Sequence, residues 1–181
     1  MRIAIGRFFF VVLLLSLAVQ ARAGWDPDKE KNEIRAAEEA KALFLKKDPG
    51  MKRFFDKAYA YVIFPHVGKG GIGIGGAYGN GLVYRNGKVI GRAKLVQATI
   101  GFQLGGQVFS EIIFFKDKAA FDRFKSGNLE FSAEASAVAI TAGAAAKADY
   151  SKGVAVFTMT KGGLMYEASI GGQSFSFEPI K

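Results

Sequence analysis

Gly71-Ile72-Gly73-Ile74-Gly75-Gly76-Ala77-Tyr78-Gly79 is the stretch on which the fold turns. Ile72, Ile74 and Tyr78 fall on one side of a two-residue period, and Gly71, Gly73, Gly75, Ala77 and Gly79 fall on the other. The segment therefore reads as a strand with one face stripped of side chains. Glycine weakens a strand and is expected where another group must come close to the backbone. Two coverings satisfy that face: one of the protein's own helices, or an acyl chain or other ligand lying in a groove.

Working outward, strand signals continue on both sides. Tyr61-Val62-Ile63-Phe64 is a short apolar run stopped by Pro65. Asn86-Gly87, set between Leu82-Val83-Tyr84 and Lys88-Val89-Ile90, predicts a hairpin closed by a type I′ turn. Thr99 to Gly105 alternates again, with Ile100, Phe102 and Leu104 on one face. Val108 to Phe115 is apolar on both faces apart from Ser110 and Glu111, the pattern of a central strand. A short helix over Lys116 to Phe124 carries Ala120, Phe121 and Phe124 inward and ends at Ser126-Gly127. Phe131 to Gly143 suits a strand of small residues or an Ala-rich helix equally. Val154 to Thr160, Leu164 to Ile170 and Gln173 to Phe177 read as further strands, separated by glycine pairs.

Residues 26 to 59 have a different texture. Asp26-Pro27 is an N-cap followed by Pro at the first helical position, and good helix formers run on to Lys47. Asp48-Pro49 repeats the opening, and Met51, Phe54, Phe55 and Ala58 then fall on one helical face. The expected fold is α+β: a strongly curved antiparallel sheet or barrel-like core, with N-terminal helices and one short mid-chain helix.

Composition limits the chemistry. The 181 residues hold 25 Lys and Arg against 16 Asp and Glu, no Cys and one His. Disulfides, thiol nucleophiles and metal–thiolate sites are excluded, and an apolar fraction of 50% excludes a disordered chain. Arg2 and Arg7, the apolar run Phe8 to Val19 and the Ala21-Arg22-Ala23 pattern are the parts of a secretory signal peptide over residues 1–23. Its removal would leave a single domain, residues 24–181, with 158 residues and a net charge of +6 in place of +9. The expected location is periplasmic or secreted, and the lipoprotein route is closed because no Cys follows the apolar run.

Catalytic motifs fail one by one. Gly71-Ile72-Gly73-Ile74-Gly75-Gly76 satisfies G-x-G-x-x-G, but it runs on as strand and turn and no carboxylate follows at the spacing a dinucleotide site needs. Gly68-Lys69 has the wrong order for a phosphate loop. His66 sits beside Pro65 in an expected loop, with no Ser in a nucleophile elbow. Glu111, Glu130, Glu134, Asp149 and Glu167 are scattered and read as solvated surface charges. We expect no enzyme, metal site or cofactor.

Basic residues are more informative. Lys41, Lys46, Lys47, Lys52, Arg53 and Lys57 gather on the two N-terminal helices, with Phe44, Phe54 and Phe55 between them. Such a helix lies in a membrane interface or buries its Phe residues in a core and solvates its Lys. The candidate headgroup contacts are Lys46, Lys47, Lys52, Arg53, Lys57 and Lys69. The candidate insertion or groove residues are Phe44, Phe54, Phe55, Gly71, Gly73 and Gly75.

Several blocks, taken in order, resemble the SYLF domain family. They are Val62-Ile63-Phe64-Pro65, then Gly68 through Gly81, Gly101-Phe102-Gln103-Leu104-Gly105-Gly106-Gln107, Glu111-Ile112-Ile113-Phe114, Gly127-Asn128-Leu129 and Tyr150-Ser151-Lys152-Gly153. The likeness covers roughly residues 36 to 177. It implies lipid binding: eukaryotic members bind phosphoinositide membranes with the help of an N-terminal amphipathic helix, yeast members also bind actin, and exported bacterial members resemble envelope proteins. For an exported chain it implies an anionic membrane lipid or an acyl chain as partner. The alternative is a structural or protein-interaction module of the envelope with a protein partner and no lipid affinity. Neither actin nor nucleic acid is expected.

Overall fold

The computed structural model describes residues 27–72, 74–100, 105–131, 137–163 and 170–180. Helix α1, Pro27–Lys47, has Asp28 and Glu30 in its first turn and Lys46 and Lys47 in its last, which matches the helix dipole at both ends. Asp48 then accepts from the Gly50 N–H at 2.9 Å and opens a 3-10 turn over Pro49–Met51 that leads straight into α2, Lys52–Lys57. Helix α3 is Lys118–Lys125, capped by Asp117, and α4 is the single turn Ala144–Lys147. Asp48 also accepts from the Ala145 N–H at 2.7 Å, and Arg53 donates to the carbonyls of Ala145 and Ala148. These bonds fasten the N-terminal helices to α4.

The strands are β1 Ala60–Ile72, β2 Ile74–Arg85, β3 Lys88–Ile100, β4 Gly105–Phe115, β5 Val138–Ala139, β6 Val154–Gly163 and β7 Gln173–Pro179. They form one sheet in the order β5-β6-β4-β1-β2-β3-β7. All pairs are antiparallel except β5 with β6. The sheet is not closed into a barrel, which corrects that part of the expectation; β5 and β7 stand at its two ends. It bends all the same. Three strands separate β4 from β7, about 19 Å across a flat sheet, yet the Gln173 amide on β7 reaches the Glu111 carboxylate on β4 at 3.0 Å.

Both faces are buried over the half of the sheet nearest the helices. On the α1 face, Ala37, Ala40, Phe44 and Phe54 pack on Tyr61, Ile63, Leu82, Ile112, Phe114 and Phe157. On the opposite, α3 face, Phe121 and Phe124 pack on Phe115, Phe175 and Phe177, so the helix bridges from β4 to β7. Each fully buried Phe contributes roughly 1.5–3 kcal/mol.

Pro65 does not end β1. The register slips around it against both neighbours, and this bulge accommodates the residue that lacks an N–H. Its carbonyl accepts from Ser110 Oγ at 2.8 Å. His66 therefore lies in a strand and not in a loop, and is exposed as expected. Asn86 and Gly87 both have positive φ, 51° and 72°, as the type I′ turn requires. At its helix-proximal end, the small-residue face of β2 is covered by the neighbouring strand β1. A Cβ on Gly81 would stand 2.7 Å from the Phe64 ring and one on Gly79 2.9 Å from Val67, so side chains of the neighbouring strand fill it. The predicted strands over Thr99–Gly105 and Leu164–Ile170 fall largely, and that over Phe131–Gly143 partly, outside the described residues, as do residues 1–26 and Gly73.

Candidate functional site

The helical candidates take the buried option. Phe44 and Phe54 are core residues, and Phe55 packs edge-on against Tyr61 and Phe114, with the Lys41 ammonium 5.1 Å from its ring centroid. None of the three forms an insertion face in the docked fold, because the sheet takes up their apolar side. Lys46, Lys47, Lys52 and Lys57 are exposed, Lys52 in an ion pair with Asp56. The Arg53 guanidinium is committed to the α4 carbonyls. Lys69 is not with them: it is buried on the α3 face. Gly71 stands opposite Gly75 beside the β1–β2 turn, where a Cβ would come within 2.3 Å of the Gly75 Cα. The phenylalanines of α2 meet Phe114, six residues along β4 from Val108. The cationic helices and the glycine-rich strands are thus roughly 20 Å apart along the sheet and not side by side.

Two features that sequence reasoning missed occupy that far half of the sheet. The first is on the α1 face, beyond the helix's cover. Ile74 is 77% exposed, Tyr78 51%, Val96 53% and Val108 42%. Register places Val108, Gly68, Tyr78, Val96 and Ser174 in one row across five strands. The neighbouring row toward α1 is polar: His66, Asn80, Lys94 and Ser176. Lys161 on β6 joins it, with its Nζ 3.3 Å from His66 Nε2. Burial and the Lys161 charge lower the His66 pKa, so the imidazole is neutral at pH 7. Between this row and the first half of α1 opens a groove of about 1190 Å³, lined among others by Asn32, Glu33, Tyr78 and Arg92. Arg92 is held there by Glu33 at 2.7 Å.

The second feature is a polar layer on the α3 face of the same strands. Lys69, Gln97, Gln107, Glu111, Thr158 and Gln173 are all buried there. Gln97 donates to the Gly171 carbonyl at 2.7 Å, Gln107 to Thr160 at 3.1 Å and Gln173 to Glu111 at 3.0 Å. Glu111, read from sequence as a surface charge, is wholly buried. Desolvation pushes its carboxyl up to about 7, against opposing contributions from Gln173 and Lys69. Among the described residues, Glu111 Oε1 and Gln173 Oε1 accept no hydrogen bond. A signal was partly present in sequence: apolar Val96 and Val108 stand next to polar Gln97 and Gln107.

Residues 96–179 match the Ysc84 family, described as Las17-binding protein actin regulator. That stretch, a little under half of the chain, is thus similar to the SYLF domain. The matched part carries Gln97, Gln107, Glu111 and Gln173, so most of the polar layer lies within it. The chain is also similar to Beta cell expansion factor A of Aeromonas veronii, at 29% identity over 171 residues. That alignment covers 82% of this chain and 62% of the relative, so the chain spans less than two-thirds of that protein's length. Among the described residues no group of His, Cys, Asp and Glu is placed to hold a metal ion, and no helix is long and apolar enough to cross a membrane.

Proposed function

We propose that this chain is an exported, non-enzymatic SYLF domain that binds anionic membrane lipid. The observation that carries the reading is the bare strip Ile74, Tyr78, Val96 and Val108, bordered by Lys94 and Lys161. Exposed apolar surface rimmed by polar groups marks an interaction site, and each Lys beside an anionic surface contributes about 1 kcal/mol. The exposed Lys46, Lys47, Lys52 and Lys57 add to the long-range attraction. Co-sedimentation with phosphatidylglycerol vesicles over a salt series tests it. The protein pellets at low ionic strength and is released as salt rises, and Lys94→Glu with Lys161→Glu lowers the pelleted fraction. A protein that stays in the supernatant at low salt rules the reading out.

A protein partner is the second reading, favoured by the family description, which names a protein ligand. Its mark is retention of an envelope protein by a chain that ignores vesicles.

A further inference from the structure

We infer that the strand ends remote from the helices, and not a helix, are what enters the bilayer; this rests on the membrane reading above. The first ground is an inversion of polarity within one sheet. Near the helices both faces are apolar. Beyond His66 the outward side chains are Ile74, Tyr78, Val96 and Val108, while inward the apolar row Val67, Leu95, Phe109 and Phe175 gives way to the buried polar row Lys69, Gln97, Gln107 and Gln173. A strand in water turns polar groups out and apolar groups in. Apolar-out with polar-in is the arrangement of strands whose outer solvent is hydrocarbon.

The second ground is the order of the rows. His66, Asn80 and Lys94 form a polar collar to which Lys94 brings a positive charge, and the row with Tyr78 comes next. Gly106, Gly70, Gly76 and Ala98 follow, and Ile74 lies farthest out. Tyr78 directs its hydroxyl back to Asn80 Oδ1 at 2.9 Å. Cation, then tyrosine, then apolar surface is the sequence of zones from headgroups to acyl chains. The backbone meets the same demand: β1 pairs with β2 and β4, and β2 with β1 and β3, so neither presents an open edge to lipid. From Tyr78 to Ile74 is about 13 Å of strand, under half of a hydrocarbon core of about 30 Å. The described strands therefore reach into one leaflet and do not cross.

The chain has no cysteine, so single-site labelling is direct. Ile74→Cys, Val96→Cys and, on α1, Leu43→Cys are each labelled with an environment-sensitive dye. They are then mixed with phosphatidylglycerol–phosphatidylethanolamine vesicles containing brominated acyl chains, with pelleting measured in parallel. Labels at 74 and 96 are quenched, the former by more deeply placed bromines, and the label at 43 is not. Pelleting with quenching at 43 alone, or at none, overturns the strand-end assignment and leaves lipid binding standing. Absence of pelleting removes both. Ile74→Asp, at an exposed position that the fold tolerates, weakens vesicle binding on the order of tenfold or more; unchanged binding by a variant with native circular dichroism also overturns the assignment.

Discussion

Glu111 illustrates how one buried group couples stability to pH. Its carboxyl has an ordinary value of 4.5 and is raised to about 7 in the fold, chiefly by desolvation. Between those values the folded chain holds a proton that the unfolded chain has released, so stability falls as pH rises from 4.5 to 7 and levels off above. The full effect is about 3 kcal/mol. Glu111→Gln keeps an acceptor for the Gln173 amide and removes the titration. Urea denaturation at pH 5 and pH 8 is expected to show a smaller pH difference for this variant than for the natural chain. The lost attraction to Lys69 tempers any gain at the higher pH. An equal pH difference in both proteins would locate the coupling elsewhere.

At the level of elements, the helical layer is held by side chains bonded to backbone. Asp48 serves Gly50 and Ala145 together, and its bond from Ala145 holds the carboxyl below its ordinary value. Asp48→Ala is expected to cost roughly 1–2 kcal/mol in chemical denaturation. A thermal scan at 222 nm would show the single unfolding transition moved to lower temperature. Elements with strong local signals were legible in sequence: the start of α1 at Pro27, the Asp48-Pro49 opening, the Asn86-Gly87 turn, the interior strand β4 and the helix α3. Pro65 misled because a bulge lets proline sit inside a strand, something decided by the partner strands and not by the residue. Glycine announces a close neighbour without naming it, and at Gly79 and Gly81 the neighbours are Val67 and Phe64. The lysines were legible as a cluster, but their distance from the glycine-rich strands depends on where α2 docks along the sheet. The exposed row was visible only as alternation. Which side faces solvent follows from where α1 stops covering the sheet.

Over the whole molecule, two cores share one sheet. Phe114 and Phe157 belong to the α1 face, and Phe115 and Phe124 to the α3 face, so every strand between them contributes to both. Neither core can be lost alone. Phe114→Ala and Phe124→Ala, one from each side, are each expected to cost about 3–5 kcal/mol. Far-ultraviolet dichroism and aromatic fluorescence should then fall together in a single transition. Separate midpoints for the two signals would show that the faces unfold independently.

The pairing of β7 with β3 has a kinetic meaning. Gly91 meets Pro179 and Gln97 meets Gln173, so the chain closes a very long loop to make those contacts. Non-local pairings of this kind are slow, because chain entropy is lost before any contact compensates. The hairpins joined by short turns can zip early, and the arrival of β7 is the late event. Only then does the Gln173 amide reach Glu111, so the carboxyl sheds its water at the end of folding. Refolding speed should therefore respond to pH less than unfolding speed does.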